Sequence, residues 1–171
     1  MKKFKISILF ILLNVLMIKS IEACDLLSVN IGGDKSTLNF YGEIYDDEID
    51  LDSSVTVFES TIDSFCTDID FGNVLLKIYI TGNSTIGAVE IAVQNGTDNE
   101  ETKRGLLKGY AESNFGNLDM ESEEWNGYKI WDIGSKQIYY YAYEKNNQPT
   151  EEGIVVTSKR YYEVLLHDQY E

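Results

Sequence analysis

The stretch NVLLKIYITGNSTIGAVEIAV, residues 73–93, decides the fold class. Between Asn73 and Thr81, Val74, Leu76, Ile78 and Ile80 recur at every second position, while Lys77 and Tyr79 take the other side. Successive side chains alternate across an extended strand, so this pattern predicts one strand with a buried face. Gly82, Asn83 and Ser84 are turn formers. Thr85 to Val93 then resumes the alternation, with Val89, Ile91 and Val93 on the expected core face and Glu90 outside. The pair reads as an antiparallel hairpin.

Outward from this hairpin, strands are expected at Leu26–Ile31, Val55–Glu59, Trp125–Trp131 and Lys136–Glu144, with a turn at Gly134-Ser135. Ile154 to Leu166 reads as one strand or two, bent near Ser158-Lys159. Asp46 to Asp52 reads as an acidic loop, and Asn146 to Gly153 as another loop holding the sole proline, Pro149. Asp34 can cap a short helix over Lys35–Tyr41 that Gly42 ends. Thr97 with Glu100 forms a capping box, so a second helix is expected from Asp98 to about Asn114, with Gly116 as its stop. Its buried candidates are Leu106, Leu107, Tyr110 and Phe115. The class is α+β: an antiparallel sheet with two helices. The order of elements also fits two tandem helix-plus-sheet pseudo-repeats, 24–96 and 97–171.

Two stretches carry a family likeness. One runs from Ile31-Gly32 through Leu38 to Gly42, and the other from Gly105 to Gly116 with Leu107 and Phe115 as its apolar positions. In each, a glycine opens a helix, an aliphatic residue sits midway, and a glycine closes it. This pattern resembles the β-lactamase-inhibitor-protein-like and outer-membrane assembly lipoprotein (SmpA/OmlA) modules, which are small and exported. The resemblance implies a helix-plus-sheet unit, in tandem in the inhibitor proteins, with a concave sheet face that grips a partner.

The beginning of the chain bears on compartment. Lys2, Lys3 and Lys5 precede an apolar run from Ile6 to Ile18 that only Ser7 and Asn14 interrupt. Ala23 then offers a small residue for cleavage, so residues 1–23 are expected to be a signal peptide and 24–171 a single mature domain. The run is shorter than the roughly 20 residues a membrane-spanning helix needs. The expected location is periplasmic or secreted. Cys24 has two readings: a disulfide with Cys66, or a lipid anchor at a lipobox-like Ile21-Glu22-Ala23-Cys24. An even cysteine count in an exported chain favours the disulfide.

The whole chain has 14 basic and 29 acidic residues. Four lysines and one glutamate lie in the first 23, which leaves 10 basic and 28 acidic residues beyond them, a net of −18 with His167 neutral. Such a charge repels nucleic acid and anionic lipid and suits a basic protein partner.

Catalytic signals are sparse. His167 is the one histidine, its neighbour Asp168 falls on the opposite face of a strand, and no G-x-S-x-G elbow occurs. No catalytic residue, transition-metal motif or cofactor is expected. Asp46, Glu48, Asp50 and Asp52 supply the hard oxygens that calcium takes, without the EF-hand glycine or its terminal glutamate. The most suggestive feature is aromatic. In KQIYYYAYE, Tyr139, Tyr141 and Tyr143 share one side of a strand, and Trp125 and Trp131 share a face of its neighbour. Exposed tyrosine and tryptophan favour protein interfaces and sugar stacking.

The expected role is therefore an exported, non-enzymatic interaction protein, an inhibitor or assembly accessory, that offers an aromatic sheet face to a basic-surfaced exported partner. The alternative is a small-ligand binder for carbohydrate or calcium. A hydrolase built on paired carboxylates is a third reading.

Overall fold

A computed structural model describes residues 24–41, 45–52, 55–62, 65–66, 71–72, 74–82, 84–93, 105–118, 127–143 and 151–165, with side chains except at 39–41, 45–52, 106, 163 and 164. Seven strands run in chain order as β1 (Tyr45–Asp52), β2 (Val55–Thr61), β3 (Val74–Thr81), β4 (Thr85–Val93), β5 (Gly127–Ile133), β6 (Lys136–Tyr143) and β7 (Glu151–Thr157). They form one sheet in the order β1-β2-β3-β4-β7-β6-β5. Every neighbouring pair is antiparallel. Two meanders, β1–β4 and β5–β7, thus meet where their last strands pair. Helix α1 (Leu106–Phe115) carries the chain from central β4 to edge strand β5, and α2 (Lys159–Leu165) follows β7. The fold is α+β.

The hairpin of residues 74–93 forms as the alternation requires. Leu76 faces Ile91 and Ile78 faces Val89 across the β3–β4 ladder. Val74, Leu76, Ile78, Ile80, Val89 and Ile91 are all buried, together with Ile138, Tyr140, Ile154 and Val156 from the other meander. This side of the sheet, the helix face, is closed by Leu107 and Ala111 of α1 and by Leu26, Val29 and Leu38 of the N-terminal segment. Cys24 and Cys66 are disulfide-bonded with Cα atoms 4.3 Å apart. The bridge pins the N-terminal segment where the Tyr110 hydroxyl donates to the Cys24 carbonyl at 2.9 Å. The Lys136 ammonium also donates to the Leu27 carbonyl.

The opposite side, the tyrosine face, has its own smaller cluster. Val55, Val57, Tyr79, Ala88, Tyr139, Tyr141, Val155 and Leu165 are buried there, with Tyr161 and Tyr162 packed against them. A β-bulge lets α2 in. Tyr79 pairs with Ala88 and Ile80 with Ile86, which leaves Gly87 as the extra residue. A Cβ on Gly87 would lie 2.7 Å from Leu165 Cδ1.

Four expectations need correction. Leu26–Ser28 is a 3-10 turn, not the start of a strand, because the Asp25 carboxylate accepts from the Leu27 amide at 2.9 Å and coils the chain. Asp46–Asp52 lies in strand β1, not a loop, since pairing with β2 offsets the weak strand propensity of aspartate. Lys159–Leu165 forms α2, not strand, because packing Leu165 and Tyr162 on the tyrosine face outweighs the β-propensity of Tyr161, Tyr162 and Val164. Glu151–Gly153 belongs to β7, not to the preceding loop.

Two expected helices also differ in detail. Asp34 does cap Lys35–Tyr41, its carboxylate accepting from the Ser36 amide at 2.8 Å, but the coil is 3-10. Gly105 stands outside α1, with a left-handed φ of 78° that no helix interior accommodates. The capping box at Thr97 and Glu100 lies outside the described residues.

Candidate functional site

Two carboxylates are buried in the described structure, one beneath each face. Both come from strands that are apolar on either side, so each glutamate has to find its partners inside the protein.

Glu90 is on the tyrosine face of β4, between Ala88 and Ala92, and is 1% exposed. The expectation that it points outward to solvent is corrected here. Both faces of β4 are covered, so alternation sets its side but not its exposure. Tyr141 donates to Glu90 Oε1 at 2.5 Å. Tyr79 donates to Oε2. Lys77 is the direct cross-strand neighbour of Glu90 and of Glu59. Its ammonium is 3.8 Å from Glu59 Oε1.

Tyr141 reaches Glu90 across an intervening strand. It stands on β6, Glu90 on β4, and β7 runs between them. The position on β7 facing Tyr141 is Gly153. The phenol ring lies over that glycine, where a Cβ would collide with its Cζ and Oη atoms. Only a residue without a side chain permits this approach. Tyr141 is then held by its neighbours, with ring centroids 6.0 Å from Tyr139 and 5.9 Å from Tyr143.

Above these groups the described residues leave the tyrosine face open. A cleft of about 340 Å³ is lined by Lys77, Tyr79, Glu90, Tyr141, Glu151 and Glu152, among others. The Glu90 and Glu151 carboxylates thus share this cleft with one lysine, which has Glu59 beside it. The volume falls at the small end of ligand sites, which run from roughly 300 to 1,000 Å³.

No family model, curated protein or solved structure matches this chain.

Glu152, on the helix face, is 2% exposed. Its Oε1 accepts from the Tyr140 hydroxyl at 2.7 Å and from the Lys108 amide at 2.8 Å, so β7 caps the first turn of α1. Its Oε2 is buried with no hydrogen-bond partner among the described residues. Burial pushes the Glu152 carboxyl above the usual range, against the hydrogen bonds from Tyr140 and the α1 backbone.

The expected aromatic face is packed rather than displayed. Tyr139 and Tyr141 are buried and Tyr143 is half-buried, because α2 and the Glu90 network occupy that side. Trp131 is half-buried on the opposite face, its ring centroid 5.9 Å from Phe115. The tyrosines and Trp131 therefore do not share a surface, and Trp125 lies outside the described residues. The exposed ring is Tyr128, stacked on Tyr139 at 5.2 Å. The side chains of Asp46, Glu48, Asp50 and Asp52 lie outside the described set, as does His167. Among the described residues no three His, Cys, Asp or Glu side chains come together as a metal site.

Sequence reasoning missed Glu90, Glu152 and Gly153. A signal existed for the first. Glu90 sits in IGAVEIAV, where its own face carries Ala88 and Ala92 rather than polar residues. A strand apolar on both faces is buried on both.

Proposed function

We propose that this chain is a non-enzymatic binding protein that receives a basic side chain of a partner in the cleft above Glu90. The observation that carries the reading is the Tyr79–Glu90–Tyr141 arrangement at the floor of an open, carboxylate-rich cleft. Both Glu90 oxygens already accept phenolic hydrogen bonds. That fixes the position of the carboxyl group and leaves neither oxygen as a free base for proton transfer. Glu151 at the rim adds a second, exposed carboxylate. The charge of the chain, −15, steers basic partners toward it.

This reading refines the exported interaction protein expected from the sequence. Export of the mature part and the likeness to sheet-face-gripping inhibitor modules stand in its support as proposals. The binding surface is the cleft, not the run of tyrosine rings. A free amine or guanidine of small size would fit the same cleft, so a small-ligand role is the neighbouring reading.

Calorimetric titration with a short arginine-containing peptide tests it. Binding is expected, weakening with added salt, and lost when citrulline replaces arginine. Glu151→Gln and Tyr141→Phe should each reduce affinity. Equal binding of the citrulline peptide would remove the proposal.

A further inference from the structure

The cleft above Glu90 is not uniformly acidic. Lys77 stands on the tyrosine face directly opposite Glu59 of β2 and Glu90 of β4. It is half-buried and lines the cleft. Neither acid beside it takes up its ammonium. Both Glu90 oxygens accept from phenols, those of Tyr79 and Tyr141. The Glu59 carboxylate comes to 3.8 Å, outside hydrogen-bond reach. An ammonium carries three donors, and those of Lys77 meet no acceptor among the described residues.

Glu151 marks the other end of the cleft, and its side chain is exposed. From Lys77 it lies two strands across and four residues along, by the β3–β4 and β4–β7 registers. At about 4.8 Å per strand and 3.4 Å per residue, the two Cα atoms are about 17 Å apart. Glu90 and the Tyr141 ring, which lies over Gly153, fall between them. The cleft thus has a cationic end and an anionic end.

A ligand with positive charge alone leaves Lys77 facing a like charge. One with negative charge alone meets Glu151. Complementarity calls for both signs on one ligand, set apart from each other. An ammonium and a carboxylate on one carbon are too close together to serve both ends. A basic side chain and the α-carboxylate of the same residue are separated by the length of that side chain. The cleft volume of about 340 Å³, at the small end for ligand sites, suits one such residue rather than a long segment.

We propose that the cleft takes the C-terminal arginine of a partner chain, its guanidinium at Glu90 and Glu151 and its free α-carboxylate on the Lys77 ammonium. Placement of the guanidinium rests on the reading proposed above; the carboxylate contact is new. A guanidinium presents paired N–H donors that match a carboxylate. Lys77 meets the α-carboxylate as a compact charge. An arginine inside a chain brings a neutral amide to Lys77 instead and leaves that charge unmatched.

Calorimetry with two peptides of one sequence, both ending in arginine, tests the assignment. One ends in a free acid and the other in an amide. The acid should bind roughly tenfold more tightly, the order expected for one charge-assisted contact. Lys77→Met should lower the affinity for the acid by a similar factor. It should leave the amide unchanged or tighter, because a like charge has gone. Lys77→Arg should keep the preference for the acid. Free arginine, whose α-ammonium would sit beside Lys77, should bind more weakly than the acid peptide. Equal affinity for acid and amide, with citrulline still abolishing both, would overturn this inference and leave the basic-side-chain reading standing. Weaker binding of both peptides to Lys77→Met, or tighter binding of free arginine than of the acid peptide, would also overturn it. Binding of neither peptide would remove both readings.

Discussion

Glu90 depends on two phenols, and its position in the core makes their loss costly. Removing one hydroxyl by Tyr141→Phe or Tyr79→Phe leaves a buried carboxylate oxygen unpaired, which costs roughly 1–3 kcal/mol. Chemical denaturation should show that loss for each variant, and the double variant should depart from additivity because both act on one group. Gly153→Ala is the sharper probe of geometry. The added methyl displaces the Tyr141 ring, so overpacking of roughly 1–3 kcal/mol is expected along with loss of arginine-peptide binding. A variant as stable as the parent would mean that Tyr141 does not cross β7. Glu152 gives a pH signature. Its folded carboxyl titrates above the unfolded value because burial disfavours the charge. The stability linked to it is therefore complete below the unfolded pKa and is lost as pH rises through the folded pKa. The difference in unfolding free energy between the parent and Glu152→Gln should fall over that window and level off above it. A difference independent of pH would contradict the account.

At the scale of elements, propensity and packing disagree most clearly at α2. The sequence KRYYEVL has strand-forming residues at Tyr161, Tyr162 and Val164, yet it folds as a helix because Leu165 fits over the Gly87 bulge. Nothing local announces that fit, since Gly87 and Leu165 are far apart in the chain. The hairpin of residues 74–93 was legible because its alternation is local and uninterrupted. The buried site was not, because it joins β3, β4 and β6 across a glycine of β7. The disulfide acts on a whole segment. It closes a separation of 42 residues, for which the chain-entropy account gives about 4 kcal/mol. Reduction should lower the denaturation midpoint by that order. It should also loosen Leu26 and Val29 from the helix face, seen as faster amide exchange there than in β3 and β4.

Among the described residues, α1 and the N-terminal segment cover one face of the sheet, α2 covers part of the other, and the cleft opens on that second face. Class and core came from periodicity, while the cleft depends on contacts between distant strands. The acidity of the chain alone would also attract a basic peptide, mostly to β1, so attraction by itself decides little. Location decides. Backbone amide shifts of the labelled protein, followed by NMR during titration with the arginine-containing peptide, read that location directly. Shifts concentrated at Lys77, Tyr79, Glu90, Tyr141 and Glu151 are the predicted result. Shifts confined to the β1 edge, or none at all, would contradict it.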